Sequence, residues 1–307
     1  MVKDRYVWLV ALFVVLYVGW VAVSGFLTHA TTFSWSVHDQ KVARMQVVGD
    51  IDGLIVGGSN AVYSLSAERM SELSGGSWFN ASLPAEGFSM DNQTAFLDDV
   101  VNSVDAEMVK TVIISSVKHW RFGHIDDFTK GGLGFDGVKA TPFWLPHQPL
   151  WKLNDQGSAK IFPNLIAGRG DLIHEATDLC VGARPGVQPK WASNREIDVM
   201  LQSWLPVIHS RFPQAAIVVT IPSRYLREVP DPIPARDYVG RLQSRINAWI
   251  SAHPESLGVQ IYTNFEPVYT DPTIVCGRGP HFNAEGRALR TEALYKSMIE
   301  KGVLDGR

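Results

Sequence analysis

Ser59 and His281 are the two residues whose types and settings could do chemistry together. Ser59 follows a short apolar run, Leu54-Ile55-Val56, and two glycines, Gly57 and Gly58. A buried strand that stops in such a tight turn presents the next side chain at its C-terminal tip, where α/β sheets place their chemistry. His281 sits in Pro280-His281-Phe282-Asn283, at the opening of the last helical pattern. A serine after the first strand and a histidine before the last helix could form a nucleophile–base pair. Each alone is weak, because a Gly-Gly-Ser turn is most often only a turn and a lone His before a helix is more often structural. The two in this order, each on the expected side of its element, are much less common by accident.

The elements that must position them alternate between strand and helix. Strands are expected at about 53–57, 77–80, 109–116, 215–221 and 258–262. Helices are expected from the serine turn through about Leu73, then at about 90–101, 194–211, 235–252 and from Asn283 to just before Gly302. Asn283 is a good N-cap and Gly302 a good C′ residue. Strands separated by helical patterns imply a five-stranded parallel sheet with helices on both faces. Residues 118–192 break the alternation. They are rich in Gly, Pro and aromatics, Trp120, Phe143, Trp144 and Trp151 among them, and a structureless loop of that length is expected to carry function or short elements of its own. Its aromatics suit a saccharide groove, or equally the packing of the insertion onto the domain.

The chain has 307 residues, 46% hydrophobic and 19% charged, which is ordinary globular composition. A net charge of −3 without a long basic run removes electrostatic support for nucleic-acid binding. Residues 7–27 carry no charge, a length that spans a hydrocarbon core of roughly 30 Å. Tyr6, Trp8, Tyr17 and Trp20 add interfacial aromatics, and Lys3 and Arg5 before the span argue for a cytoplasmic N-terminus. A cleaved signal peptide is the rival reading, but the apolar region is long for one and Thr28-His29-Ala30 is a poor cleavage site. The expected organisation is an anchor at 1–30, a linker at 31–50 and one domain over 51–307, outside the membrane. Cys180 and Cys276 could form one disulfide or stay as two buried thiols. His119 and His124 are five apart with no cysteine or third His nearby, so no metal site is expected. No cofactor is needed.

Three short blocks resemble the SGNH (GDSL-like) hydrolase superfamily. Gly57-Gly58-Ser59-Asn60 is similar to its first block, Asn80-Ala81-Ser82-Leu83-Pro84-Ala85 to its second, and Pro280-His281-Phe282-Asn283 to its last. The resemblance covers roughly 50–300 and implies a three-layer α/β/α, flavodoxin-like domain. It implies Ser59 as nucleophile and His281 as base, returning the proton to the leaving group. Of the family's oxyanion donors, the second-block backbone N–H falls to Ala85, or to Gly87 if the register slips; a backbone donor needs no side chain. Two positions depart from the pattern. Lys118-His119 stands where the family has Gly-Asn, so a Lys or His would have to donate instead. Arg278 stands where the family has the acid three residues before the histidine, and an arginine cannot accept an imidazole N–H. Asp271 is then the first candidate acid, with Glu266 or a backbone carbonyl as alternatives. Asp271 before Pro272 also suits a plain turn cap.

One anchor followed by an outward SGNH-like domain resembles accessory proteins of cell-envelope O-acylation, such as the alginate O-acetylation proteins and the D-alanine transfer protein of Gram-positive walls. The resemblance implies acyl transfer, in the first instance of acetyl, through a Ser59 acyl-enzyme to a polysaccharide hydroxyl. It also implies a membrane-bound O-acyltransferase partner and a location on the outer face of the inner or plasma membrane. An anchored esterase and a catalytically inactive subunit that binds polysaccharide or bridges a membrane complex are the competing readings.

Overall fold

Gly53–Gly57, the apolar run before the serine turn, is an inner strand, β1, of a parallel sheet, and all five of its residues are buried. The computed structural model describes residues 2–31, 33–83, 102–115, 165–173, 193–199, 201–202, 205–221, 224–225, 233–253, 261–265, 268–276 and 281–304. The chain divides into two compact units, residues 1–36 with 123–163 and residues 37–122 with 164–307.

In the first unit, helix α1 (Val2–Thr31) is continuous over 30 residues. After Arg5 its described side chains are mostly apolar and exposed, Tyr17 being partly buried: Val7, Trp8, Leu9 and Val10 are successive, at about 100° apart, and each is more than half exposed. The expected membrane span is not supported, since among the described residues no helix is long and apolar enough to cross a membrane.

The second unit is an α/β domain. After β1 come α3 (Ser59–Val62), α4 (Ala67–Ser74), β2 (Trp78–Asn80) and β3 (Thr111–Ser115), following α2 (Phe33–Val48), which bridges the two units in sequence. Further on lie α5 (Asn194–Val199), α6 (Leu205–Arg211), β4 (Ala216–Ile221), β5 (Arg224–Tyr225), α7 (Ile233–Ala252), β6 (Ile261–Phe265), β7 (Val268–Tyr269), a 3₁₀ turn (Pro272–Ile274) and α8 (Ala284–Glu300). The main sheet has the order β2-β1-β3-β4-β6, every pair parallel, and β5 and β7 form a second, two-stranded parallel sheet. Ile55, Ile113 and Val218 are in register across three strands and point to one face. There they pack with Ala61, Leu65, Met70, Trp78, Leu294 and Met298 from α3, α4, β2 and α8. The intervening residues Leu54, Val112 and Ile217, which point to the other face, are also fully buried. Burial on both faces is why these strands read as unbroken apolar runs rather than alternating ones.

Boundaries differ from expectation in two places. The helix after β1 is two helices, because Ser66 starts α4 afresh as its N-cap, its Oγ accepting from Arg69 N. The last sheet strand, expected to end at 262, runs on to Phe265. Helices α5 and α6 both fall within the expected helix 194–211. The expected helix at 90–101 lies outside the described residues.

Residues 31–50, expected as a linker, hold α2 instead. Val37, Lys41 and Met45, one turn apart on a single face, are almost completely buried. A lysine in an apolar stripe must find acceptors. Lys41 Nζ donates to the backbone oxygen of Asn80 at 2.6 Å and to Asn80 Oδ1 at 3.3 Å. Asn80 Nδ2 in turn donates to Leu65 O at 3.0 Å and to Asp171 Oδ1 at 3.3 Å. Asp171 is buried and also accepts from Ser66 Oγ and from the backbone N–H groups of Ala67 and Glu68 at the start of α4.

Burial pushes the Lys41 ammonium down from its ordinary 10.5 to about 7; Asp171 opposes the shift and Arg287 adds to it. Below about pH 7 both folded and unfolded chains carry this proton, and the cost of the buried charge is fully felt. Between about pH 7 and 10 only the unfolded chain carries it, so stability rises with pH, by at most about 1.4 kcal/mol per unit. Denaturant midpoints should therefore increase from about pH 6.5 to about pH 8.5, and Lys41→Met should flatten that increase. An unchanged slope in Lys41→Met would assign the rise to other groups.

Candidate active site

The candidate site is the C-terminal end of β1 and β3, closed by α8. The chain leaves β1 at Gly57, opposite Ser115 at the end of β3. Gly58 is extended, with φ −91° and ψ −157°, and Ser59 is the first residue of the single-turn helix α3. The turn is held by Tyr63 N–H donating to Ser59 O at 2.9 Å. Ser59 is half-buried. The second sequence block runs directly alongside. Ser82 Oγ donates to Ile55 O at 3.1 Å and Leu83 N to Gly57 O at 3.0 Å, so Ser82 and Leu83 lie beside the end of β1 that leads into the serine turn. Ala85 and Gly87, the expected backbone donors, lie outside the described residues, as do Lys118, His119, Arg278 and Glu266.

His281 reaches the same end of the sheet through a closed hairpin. Val275 and Phe282 form an antiparallel bridge, and Cys276 N–H donates to His281 O at 2.9 Å. Phe282, Ile274, Val275 and Tyr225 make a small buried cluster beneath it. Asn283 caps α8, its Oδ1 accepting from Gly286 N at 3.0 Å, while its Nδ2 donates to Thr273 O at 2.6 Å. Gly286 allows the helix to seat there, since a Cβ would stand 2.4 Å from Ile274 O and 2.9 Å from Phe282 Cβ. The imidazole then lies on the Tyr63 ring, with centroids 4.3 Å apart and planes 31° apart. Tyr63 is four residues after Ser59 and on the same helical face, so the stack brings His281 to the side of α3 that carries Ser59.

Asp271, the expected orienting acid, has a different job. It is exposed and caps the 3₁₀ turn, its Oδ1 accepting from Thr273 N at 2.8 Å and from Thr273 Oγ1 at 2.6 Å. The Thr273 hydroxyl, and then its N–H, hold this carboxyl below its usual range. This is the turn-capping role open to an Asp before Pro.

Beneath the serine turn lies a set of residues that the sequence reading did not single out. Arg290, fully buried in α8, donates from Nη1 to Asn60 O at 2.7 Å and from Nη2 to Ser115 Oγ at 3.1 Å. Ser115 Oγ donates to Asn60 Oδ1 at 2.7 Å. A buried arginine nine residues after His281 and a serine closing an apolar strand were the available signals. Neither is distinctive without the contact between them. Cys276 is disulfide-bonded; Cys180, the other cysteine of the chain, lies outside the described residues.

No protein-family model matches this chain, and no curated protein matches it.

Two substitutions probe this geometry. Asp271→Asn keeps an acceptor for Thr273, so any acyl-transfer activity and the unfolding midpoint should both stay close to the parent; a loss above about tenfold in rate would restore Asp271 as an acid partner of His281. Gly286→Ala places its Cβ against backbone and should destabilise the domain by about 1–3 kcal/mol, read as a lowered denaturant midpoint; an unchanged midpoint would show that α8 is free to shift.

Proposed function

We propose that the protein is an extracytoplasmic O-acyltransferase of SGNH type, transferring an acyl group, acetyl in the first instance, to a cell-envelope or secreted polysaccharide. The observation that carries this reading is the Tyr63–His281 stack, which brings an imidazole to the face of the turn that begins at Ser59. In the proposed reaction His281 takes the Ser59 proton as Oγ attacks the acyl carbonyl carbon. The bond from that carbon to the donor's oxygen breaks, and the proton returns to that oxygen. A polymer hydroxyl then attacks the Ser59 ester with its proton passing to His281, and the proton finally restores Ser59. With Asp271 engaged by Thr273, Glu266 or a backbone carbonyl is the proposed partner of the His281 ring.

Location follows from two features. A disulfide at Cys276 belongs to an oxidising compartment. A helix that is mostly apolar and exposed suits lipid, so residues 7–27 are proposed as a single-pass anchor with the N-terminus cytoplasmic. A membrane-bound O-acyltransferase that brings the acyl group across the bilayer is the proposed partner. An anchored esterase uses the same serine and histidine and differs only in the acceptor, water in place of a sugar hydroxyl.

The test is to incubate the full chain, purified in detergent, with p-nitrophenyl acetate and to follow intact mass. One acetyl adduct is expected, mapped to Ser59 and absent in Ser59→Ala, and its discharge should be faster with an oligosaccharide present than in water alone. Absence of any adduct on the parent protein would end the enzymatic reading in favour of a scaffold.

A further inference from the structure

The Asn60 amide holds a donor without an acceptor. Asn60 is fully buried, and its Nδ2 is enclosed with no hydrogen-bond partner among the described residues. Buried polar groups are almost always paired, because leaving a donor unmade costs the desolvation of that group. The orientation of the amide is fixed by its neighbours. Arg290 Nη2 donates into Ser115 Oγ, so the Ser115 proton is free to go to Asn60, and the atom that receives it must be Oδ1. Nδ2, with its two N–H groups, is therefore the end left over.

The chain of donors also has a direction. It starts on a buried guanidinium, which in addition holds the Asn60 backbone oxygen. Each bond polarises the next, and the effect is larger where water is excluded. The result is an acidified amide N–H, one residue from Ser59, anchored between the ends of β1 and β3. Acyl transfer through Ser59 creates a negative oxygen two bonds from Oγ, and donors already in place for that oxygen are the usual largest source of rate.

Resting on the acyl-enzyme reading above, we propose that Asn60 is a catalytic residue, whose Nδ2 donates to the tetrahedral oxyanion on the Ser59 adduct. Ser115 and Arg290 are its positioning residues. The acceptor that Nδ2 lacks in the resting protein arrives with the acyl group.

The experiment compares p-nitrophenyl acetate with p-nitrophenyl thionoacetate as acyl donors to the full chain in detergent, reading the rate of Ser59 adduct formation by mass. A developing sulfur anion is a poor acceptor, so an oxyanion donor favours the oxygen ester. Asn60→Ala should slow acylation by the oxygen ester about 10²-fold and by the thionoester by less than about tenfold, collapsing the preference for oxygen. Should Asn60→Ala fail to fold, Asn60→Asp, which keeps an acceptor for Ser115 beside the Arg290 cation, serves for the same comparison. Equal losses with both esters would make Asn60 a brace of the turn and overturn the proposal, as would no loss with either. In both cases the Ser59 acyl-enzyme stands. A parent protein that forms no adduct with either ester overturns the acyl-enzyme and this inference together.

Discussion

The amide of Asn80 is the joint on which the domain is assembled. Its side chain and backbone are engaged by residues from four separate places: Lys41 of α2, Leu65 before α4, Ser82 of the following segment, and Arg169 and Asp171 from a distant loop. Asn80 is fully buried, so each of these bonds forms where water cannot replace it. The same residue ends β2 and starts the segment that runs beside the serine turn. Anything that moves Asn80 therefore moves both Lys41 of α2 and the floor of the candidate site. Gly170 shows how closely the distant loop must approach: its φ is +78°, and a Cβ there would stand 2.6 Å from Asn80 O.

A second constraint acts at the other end of the sheet. Helix α8 carries Arg290 into the space under the serine turn and, from its N-terminal cap, holds the hairpin that ends in His281. Ser59 and His281 are therefore not positioned by separate supports. Thr291 reinforces the arrangement, its Oγ1 accepting from Ser66 N at 3.0 Å, and Arg69 of α4 bonds Glu292. The Arg69 pair is about a third exposed on each side and contributes little by itself. The buried bonds of Arg290 do the holding, because their partners have no alternative in water.

What could be read in the sequence was what depends on local pattern. The strands β1, β3 and β4 are apolar runs bounded by polar or glycine residues. The cap at Asn283 and the left-handed Gly302 after α8 were legible because caps and C′ positions are decided within one turn. The break at Ser66 was missed although serine is a strong N-cap, because the apolar pattern continues across it. Lys41 was read as part of a polar linker, since nothing in the neighbouring residues reveals that its acceptor is thirty-nine positions away. Asp271 shows the opposite error: a carboxylate was assigned to a distant histidine when its own turn already used it. Long-range polar pairing leaves no local trace, and the residues around the candidate site are held by little else.

The separation of Asn60 from Arg290, 230 positions along the chain, also sets an order of events. During synthesis β1 and the serine turn emerge early, and for most of the time needed to make the domain nothing is available to fill the space beneath them. Closing a loop of that span costs entropy before any contact offsets it, and folds rich in such contacts form slowly. The turn that bears Ser59 therefore receives its support only once α8 has been made, so a nascent or truncated chain carries the serine turn without the buried bonds beneath it. The finished shape of this turn is in this way tied to completion of the fold.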